Sequence, residues 1–154
     1  MTLNPPPRVP GSYALFLALD QPTQLNVGRL GRYSFPPGWY VYCGSAFGPG
    51  GLAARMERHR AGYGALHWHI DHLRRAARLV DWAWAAGARL ECAWSRAYAA
   101  AGGQILVPKF GASDCRAGCP AHLVYFAAQD PRQVAAYSRI FEAVSIEAVP
   151  SVSP

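Results

Sequence analysis

Between residues 44 and 51 the chain carries Gly44, Gly48, Gly50 and Gly51, with Pro49 among them. That density of backbone freedom and missing donors argues against regular structure, so the stretch reads as a turn. It divides two unlike segments. Residues 39–43 (WYVYC) read as an aromatic core strand. Residues 52–60 read as a helix with Leu52 and Met56 on one face and Arg55, Arg58 and His59 on or near the other. A strand, a glycine-rich turn and a basic helix in this order predict a phosphate-handling unit. Gly44, Ser45, Gly50 and Gly51 would offer backbone N–H groups at a helix N-terminus, with Arg55 and Arg58 behind them. His59 stands four residues after Arg55, so the pair can bind a phosphodiester and move its protons. The competing reading is an ordinary solvated basic face.

The remaining chain is read by what it adds to this segment. Residues 1–10 are proline-rich and predict a flexible tail; residues 11–143 predict one domain, and residues 144–154 a disordered tail. Within the domain, residues 12–19 read as a buried strand. Residues 24–27 and 30–33 read as a hairpin, residues 67–77 as a second helix, and residues 79–85 as a strand. Residues 91–101 read as an alanine-rich helix, residues 108–120 as an irregular loop, residues 122–127 as a last strand and residues 131–141 as a last helix. The class expected is α+β: a small mixed or antiparallel central sheet flanked by helices.

Half of the residues are hydrophobic (51%) and 16% are charged, which excludes a disordered chain. The net charge is +6, and every basic residue but Lys109 is Arg, a composition suited to phosphate. No apolar run is long enough to span a bilayer and no apolar leader precedes the domain, so the expectation is a cytoplasmic protein with reduced cysteines. Cys115, Cys119 and His122, with Cys92 elsewhere, have the makings of a zinc site, although the spacing is not that of a standard zinc knuckle. His69 and His72 share a helix face at i, i+3. His69 and Asp71 are read as bracing the basic helix or as entering the site directly. Ser113, Asp114 and His122 are read as lining or bracing the cleft.

Several spaced blocks occur in order: Tyr40-Val41-Tyr42-Cys43-Gly44-Ser45-Ala46, then Gly50-Gly51-Leu52 with Arg55, Arg58 and His59, then Trp68-His69-Ile70-Asp71, and finally Phe110-Gly111 with Ser113-Asp114-Cys115 and His122-Leu123-Val124-Tyr125-Phe126. In these blocks the chain resembles the GIY-YIG nuclease superfamily, and within it a compact branch catalogued as a domain of unknown function. The resemblance implies a GIY-YIG-like fold and metal-dependent hydrolysis of DNA, on branched, damaged or single-stranded forms in repair, beside a larger repair protein or alone. It implies Tyr13, Tyr42, Arg55 and His59 as the catalytic set and Glu91 as ligand to one Mg²⁺ or Mn²⁺. Arg55 would clamp the phosphate. A tyrosine would act as base, its pKa lowered by positive charge on Arg55 and His59. The first tripeptide departs from the usual pattern: Ser12 stands where isoleucine is usual, and residues 14–41 make an unusually long separation between the two tripeptides. The alternatives are an inactive nucleic-acid-binding module of the same fold and a zinc-stabilised interaction domain.

Overall fold

Strand β1 (Gly11–Leu19) is buried along its whole length. Its run of apolar residues on both faces is what a central strand requires. It pairs antiparallel with β4 (Gly38–Ala46) on one side and with β5 (Arg78–Ala86) on the other, and β4 pairs antiparallel with β6 (Leu123–Phe126). The sheet order is β5-β1-β4-β6. The computed structural model describes residues 3–62 and 64–142. The expected C-terminal tail, residues 144–154, lies outside them.

Each sheet face packs its own layer. Tyr13, Leu15 and Leu17 share a core with Leu52 and Met56 of α1 (Gly51–Ala61) and with Ile70 and Leu73 of α2 (His69–Arg74). Ala14, Phe16 and Val41 pack against Trp94 and Tyr98 of α3 (Glu91–Ala100) and against Phe141. A separate ribbon of β2 (Thr23–Asn26) and β3 (Arg32–Phe35) occupies the long insertion. The architecture is α+β, with an antiparallel four-stranded sheet between helices.

Five local expectations are corrected. Gly44, Ser45 and Ala46 do not belong to the turn; they extend β4, because each has a partner on β1. Leu30 belongs to a 3-10 turn (Gly28–Leu30) that shifts the ribbon pairing to Arg32–Phe35. The second helix is only Asp71's single capped stretch, His69–Arg74, and the last helix is a short turn, α4 (Ala135–Tyr137), running into a π-helical turn (Ser138–Glu142). Lastly, residues 4–10 are tied down by their own carbonyls. Asn4 accepts from Trp82 Nε1 at 2.8 Å, Pro7 and Val9 accept from the first turn of α1, and Pro10 accepts from Gly87 N.

Candidate active cleft

The register of β1 on β4 puts Tyr13 opposite Gly44 and Leu15 opposite Tyr42. Alternation along the strands then sends both tyrosines to the same sheet face, with ring centroids 6.3 Å apart. Strand β6 pairs β4 only from Trp39 to Tyr42. Past that point the ladder ends, Cys43 N–H still donates to the His122 carbonyl at 2.9 Å, and a cleft of about 420 Å³ opens. Tyr13, Tyr42, Arg55 and Glu91 all line it, as do Gly44, Ser45, Asp114 and His122. Gly44 is needed there for space: a Cβ would stand 2.6 Å from the Tyr13 hydroxyl and Cζ.

His59 does not reach the cleft. It is 1% exposed, behind Tyr13, whose hydroxyl shares a hydrogen bond of 2.7 Å with His59 Nε2. Burial, reinforced by Arg55, Arg58 and Arg74 and opposed by Asp71, drives its pKa down to about 3. His59 is therefore a neutral ring at ordinary pH, and the expectation that it lends positive charge to a tyrosine is overturned. Burial also raises Tyr13 well above the usual phenol value, with Tyr42 adding to the rise and Arg55 opposing it. Tyr42 is raised by burial in the same way, again against Arg55.

Arg55 donates to the Ser45 carbonyl at 3.2 Å, and its guanidinium lies 4.1 Å from the centroid of the Trp68 ring. Arg58 lies on the same ring at 4.3 Å but is turned away from the cleft. It donates to Asp71 Oδ2 at 2.7 Å and to the Ala65 carbonyl at 3.1 Å. The same Asp71 oxygen accepts from His67 N and Trp68 N, both at 2.8 Å, capping α2. Asp71 is thus a brace between two helices. These donors hold its carboxyl below the usual range, against the burial that would raise it. His69 braces a different part: its Nδ1 accepts from Gly111 N at 2.8 Å, and Ser113 Oγ is 3.5 Å from its Nε2, so it fixes the loop of residues 108–120 as one wall.

The N-terminus of α1 is not an anion site. Its first four N–H groups are all engaged: Gly51 with Gly48 O, Leu52 with Val9 O, Ala53 with Pro7 O and Ala54 with Gly50 O. Gly50 and Gly51 do not line the cleft. A Cβ on Gly51, at φ +59°, would stand 2.4 Å from the Val9 carbonyl. These glycines let the N-terminal segment cross the helix end, and no phosphate has access to the amides.

Glu91 opens α3 and is reached by Ser12. The Ser12 hydroxyl donates to the Ala88 carbonyl at 2.7 Å, stands 3.3 Å from Glu91 Oε2 and accepts from Leu90 N at 2.7 Å. The residue that breaks the tripeptide pattern therefore ties β1 to the turn that carries the acid. Beside Glu91, the thiols of Cys92, Cys115 and Cys119 and a ring nitrogen of His122 come within 4.8 Å of one another, a group able to hold a metal ion. All four cysteines are free of disulfides.

With that geometry in hand, a comparison of the sequence with protein families finds one described as "Domain of unknown function DUF123", matching residues 12–145. The chain belongs to this family. No curated protein and no solved structure matches the chain. What sequence reasoning missed in the DUF123 domain is the charge at the cleft rim. Arg89 and Arg116 line the cleft with Arg55, and Arg89 packs over the Phe47 ring at 4.0 Å. Both arginines lie in loops, where no periodicity marks them. Among the described residues, no helix of the DUF123 domain is long and apolar enough to cross a membrane.

Proposed function

We propose that the DUF123 domain is a GIY-YIG-type endonuclease that hydrolyses DNA phosphodiester bonds in repair. The single observation that carries this reading is the lining of one cleft by Tyr13, Tyr42, Arg55 and Glu91, drawn from two strands and two helices. Arg55, Arg89 and Arg116 give the cleft positive charge for a phosphodiester, and Glu91 and Asp114 give it hard oxygen ligands suited to Mg²⁺ or Mn²⁺. Glu91 would hold a divalent cation, which would supply positive charge to the leaving oxygen.

The chain's own residues do the rest. Arg55 binds the scissile phosphate, and Trp68 and the Ser45 carbonyl hold its guanidinium in place. Tyr13, whose hydroxyl shares a 2.7 Å hydrogen bond with His59 Nε2, is held in place to orient the attacking water. As the water oxygen bonds to phosphorus, the bond from phosphorus to the 3′ oxygen breaks and the water's proton leaves to solvent. Tyr42 shapes the cleft floor.

The test is a panel of labelled branched, damaged and single-stranded DNAs incubated with Mg²⁺ or Mn²⁺. Cleavage of at least one is expected, with Arg55→Ala slower by about 100- to 1,000-fold, as for loss of one oxyanion donor. No cleavage of any DNA, or cleavage indifferent to Arg55→Ala, would overturn the reading. The burial of both tyrosines favours a second reading, a module that binds nucleic acid without cutting it. That module would show salt-sensitive binding with no turnover. A zinc-stabilised interaction domain would use the thiol group and leave the arginine-lined cleft without a role.

A further inference from the structure

We propose that Cys92, Cys115, Cys119 and His122 hold one Zn²⁺ in a closed tetrahedral centre, and that this ion fixes the two cleft carboxylates, Glu91 and Asp114. Only the second half of the proposal rests on the nuclease reading.

The ligand set is three sulfurs and one imidazole nitrogen, soft enough to select zinc over magnesium or calcium. The spacing fits as well. Tetrahedral Zn²⁺, with bonds of about 2.3 Å to sulfur and about 2.0 Å to nitrogen, sets S···S edges of about 3.8 Å and S···N edges of about 3.6 Å. Cys92 Sγ lies 3.6 Å from Cys115 Sγ and 3.5 Å from His122 Nε2. A disulfide would need about 2.05 Å between two sulfurs and would leave the other two groups unused. Four protein ligands complete the tetrahedron, so no position remains for water or substrate and the centre is structural. Binding converts three thiols to thiolates and releases their protons to solvent.

The position of the ligands gives the ion its role. Cys92 is the second residue of α3, Cys115 and Cys119 lie in the loop, and His122 immediately precedes β6. Two segments distant in sequence, the start of α3 and residues 115–122, are joined at one point. Glu91 and Asp114 each stand one residue before a ligand, and both line the cleft. The loop that carries Asp114 has no strand or helix of its own; His69, Arg96 and short turns secure it. A metal crosslink sets the distance between the two acids where the backbone alone does not.

The test uses the full chain, reduced and stripped of metal, titrated with Co²⁺ and then Zn²⁺. One Co²⁺ per chain is expected, with thiolate charge-transfer and tetrahedral absorption that one equivalent of Zn²⁺ abolishes. Cys115→Ser and Cys119→Ser should weaken Co²⁺ binding by more than about 100-fold, since losing outer-shell partners alone costs about 10- to 100-fold. His122→Cys should keep a tetrahedral site and guards against variants that fail to fold. A reduced chain that gives no such spectrum, a spectrum that survives both serine variants, or an octahedral spectrum overturns the centre. The positioning role is read separately by Mn²⁺ binding, followed by electron paramagnetic resonance. Removal of zinc should weaken Mn²⁺ about 10-fold; unchanged affinity overturns it. If Mn²⁺ binds neither form, the cation site of the nuclease reading falls and takes the positioning role with it, while the cobalt result still decides the zinc centre.

Discussion

The cleft has two walls of different construction. One wall is Tyr13, Tyr42 and Arg55, set on paired strands and the helix packed over them: strand register places both tyrosines, and Trp68 and the Ser45 carbonyl hold Arg55. The other is Glu91, Asp114 and the thiol group, set on a helix end and a loop without regular pairing. The first wall is rigid because its residues are also core; Tyr13 and Tyr42 belong to the same buried cluster as Leu52 and Met56. The second is anchored by buried Phe110 and Trp94, but residues 113–118 of its loop are largely exposed and the wall depends on polar ties as well, of which Ser12 and His69 are two. Damage to the first wall should therefore unfold the protein or leave it dead but folded, according to whether the residue packs or reacts. Damage to the second should loosen the site first.

The largest effect expected is on turnover. Arg55→Ala and Glu91→Gln, one from each wall, should each slow cleavage about 100- to 1,000-fold with melting temperature little changed. If only one of them matters, the two walls do not form a single site.

The next effect is on stability against pH and belongs to the first wall. His59 is neutral when folded, with its pKa lowered to about 3, whereas in the unfolded chain it titrates near about 6.5. The unfolded state therefore binds the extra proton between these values. The stabilisation is fully present above about pH 6.5 and is lost as pH falls toward 3, amounting to roughly 3 to 5 kcal/mol over the window. Chemical denaturation from pH 8 to pH 4 should show this slope, and His59→Gln should flatten it. An equally steep slope in the variant would place the titration elsewhere.

Gly44→Ala should cost about 1 to 3 kcal/mol, because the new methyl must displace the buried Tyr13 ring. The smallest change expected is in Ser12→Ala, which bridges the walls. It leaves the Leu90 amide and Ala88 carbonyl without their hydroxyl partner, costing about 1 to 2 kcal/mol, and frees Glu91 to move. Weakened Mn²⁺ binding alongside a modest fall in melting temperature would sharpen the contrast between the walls. Unaltered Mn²⁺ binding would show that Ser12 supports only the fold.

The same contrast decides what could be read from the sequence. Strands β1 and β4 are legible because a strand buried on both faces leaves an unbroken apolar run. Helix α3 is legible from its alanines and the glycines that follow. The convergence of Tyr13, Tyr42, Arg55 and Glu91 was expected from motif order, and these residues do line one cleft. The capping of α1 was not legible, because its amides donate to backbone carbonyls, two of them in a proline-rich segment that has no side-chain periodicity. Nor was the neutrality of His59: at i, i+4 from Arg55 it looks like a partner on a charged face, yet the sheet behind it removes the solvent a charge would need. The thiol group was visible only as arithmetic, since Cys92 is remote from the other three in sequence and the fold alone brings it alongside.

The central claim is that both walls act on one phosphodiester. Its most direct test is the single-turnover cleavage rate, with Mg²⁺ in excess, of wild type, Arg55→Ala, Glu91→Gln and the double variant on the best-cut DNA. Residues acting on the same transition state are strongly non-additive, so the double variant should be little slower than the slower single variant. A rate equal to wild type in either single variant, or fully additive losses in the double, would contradict a single two-walled active site.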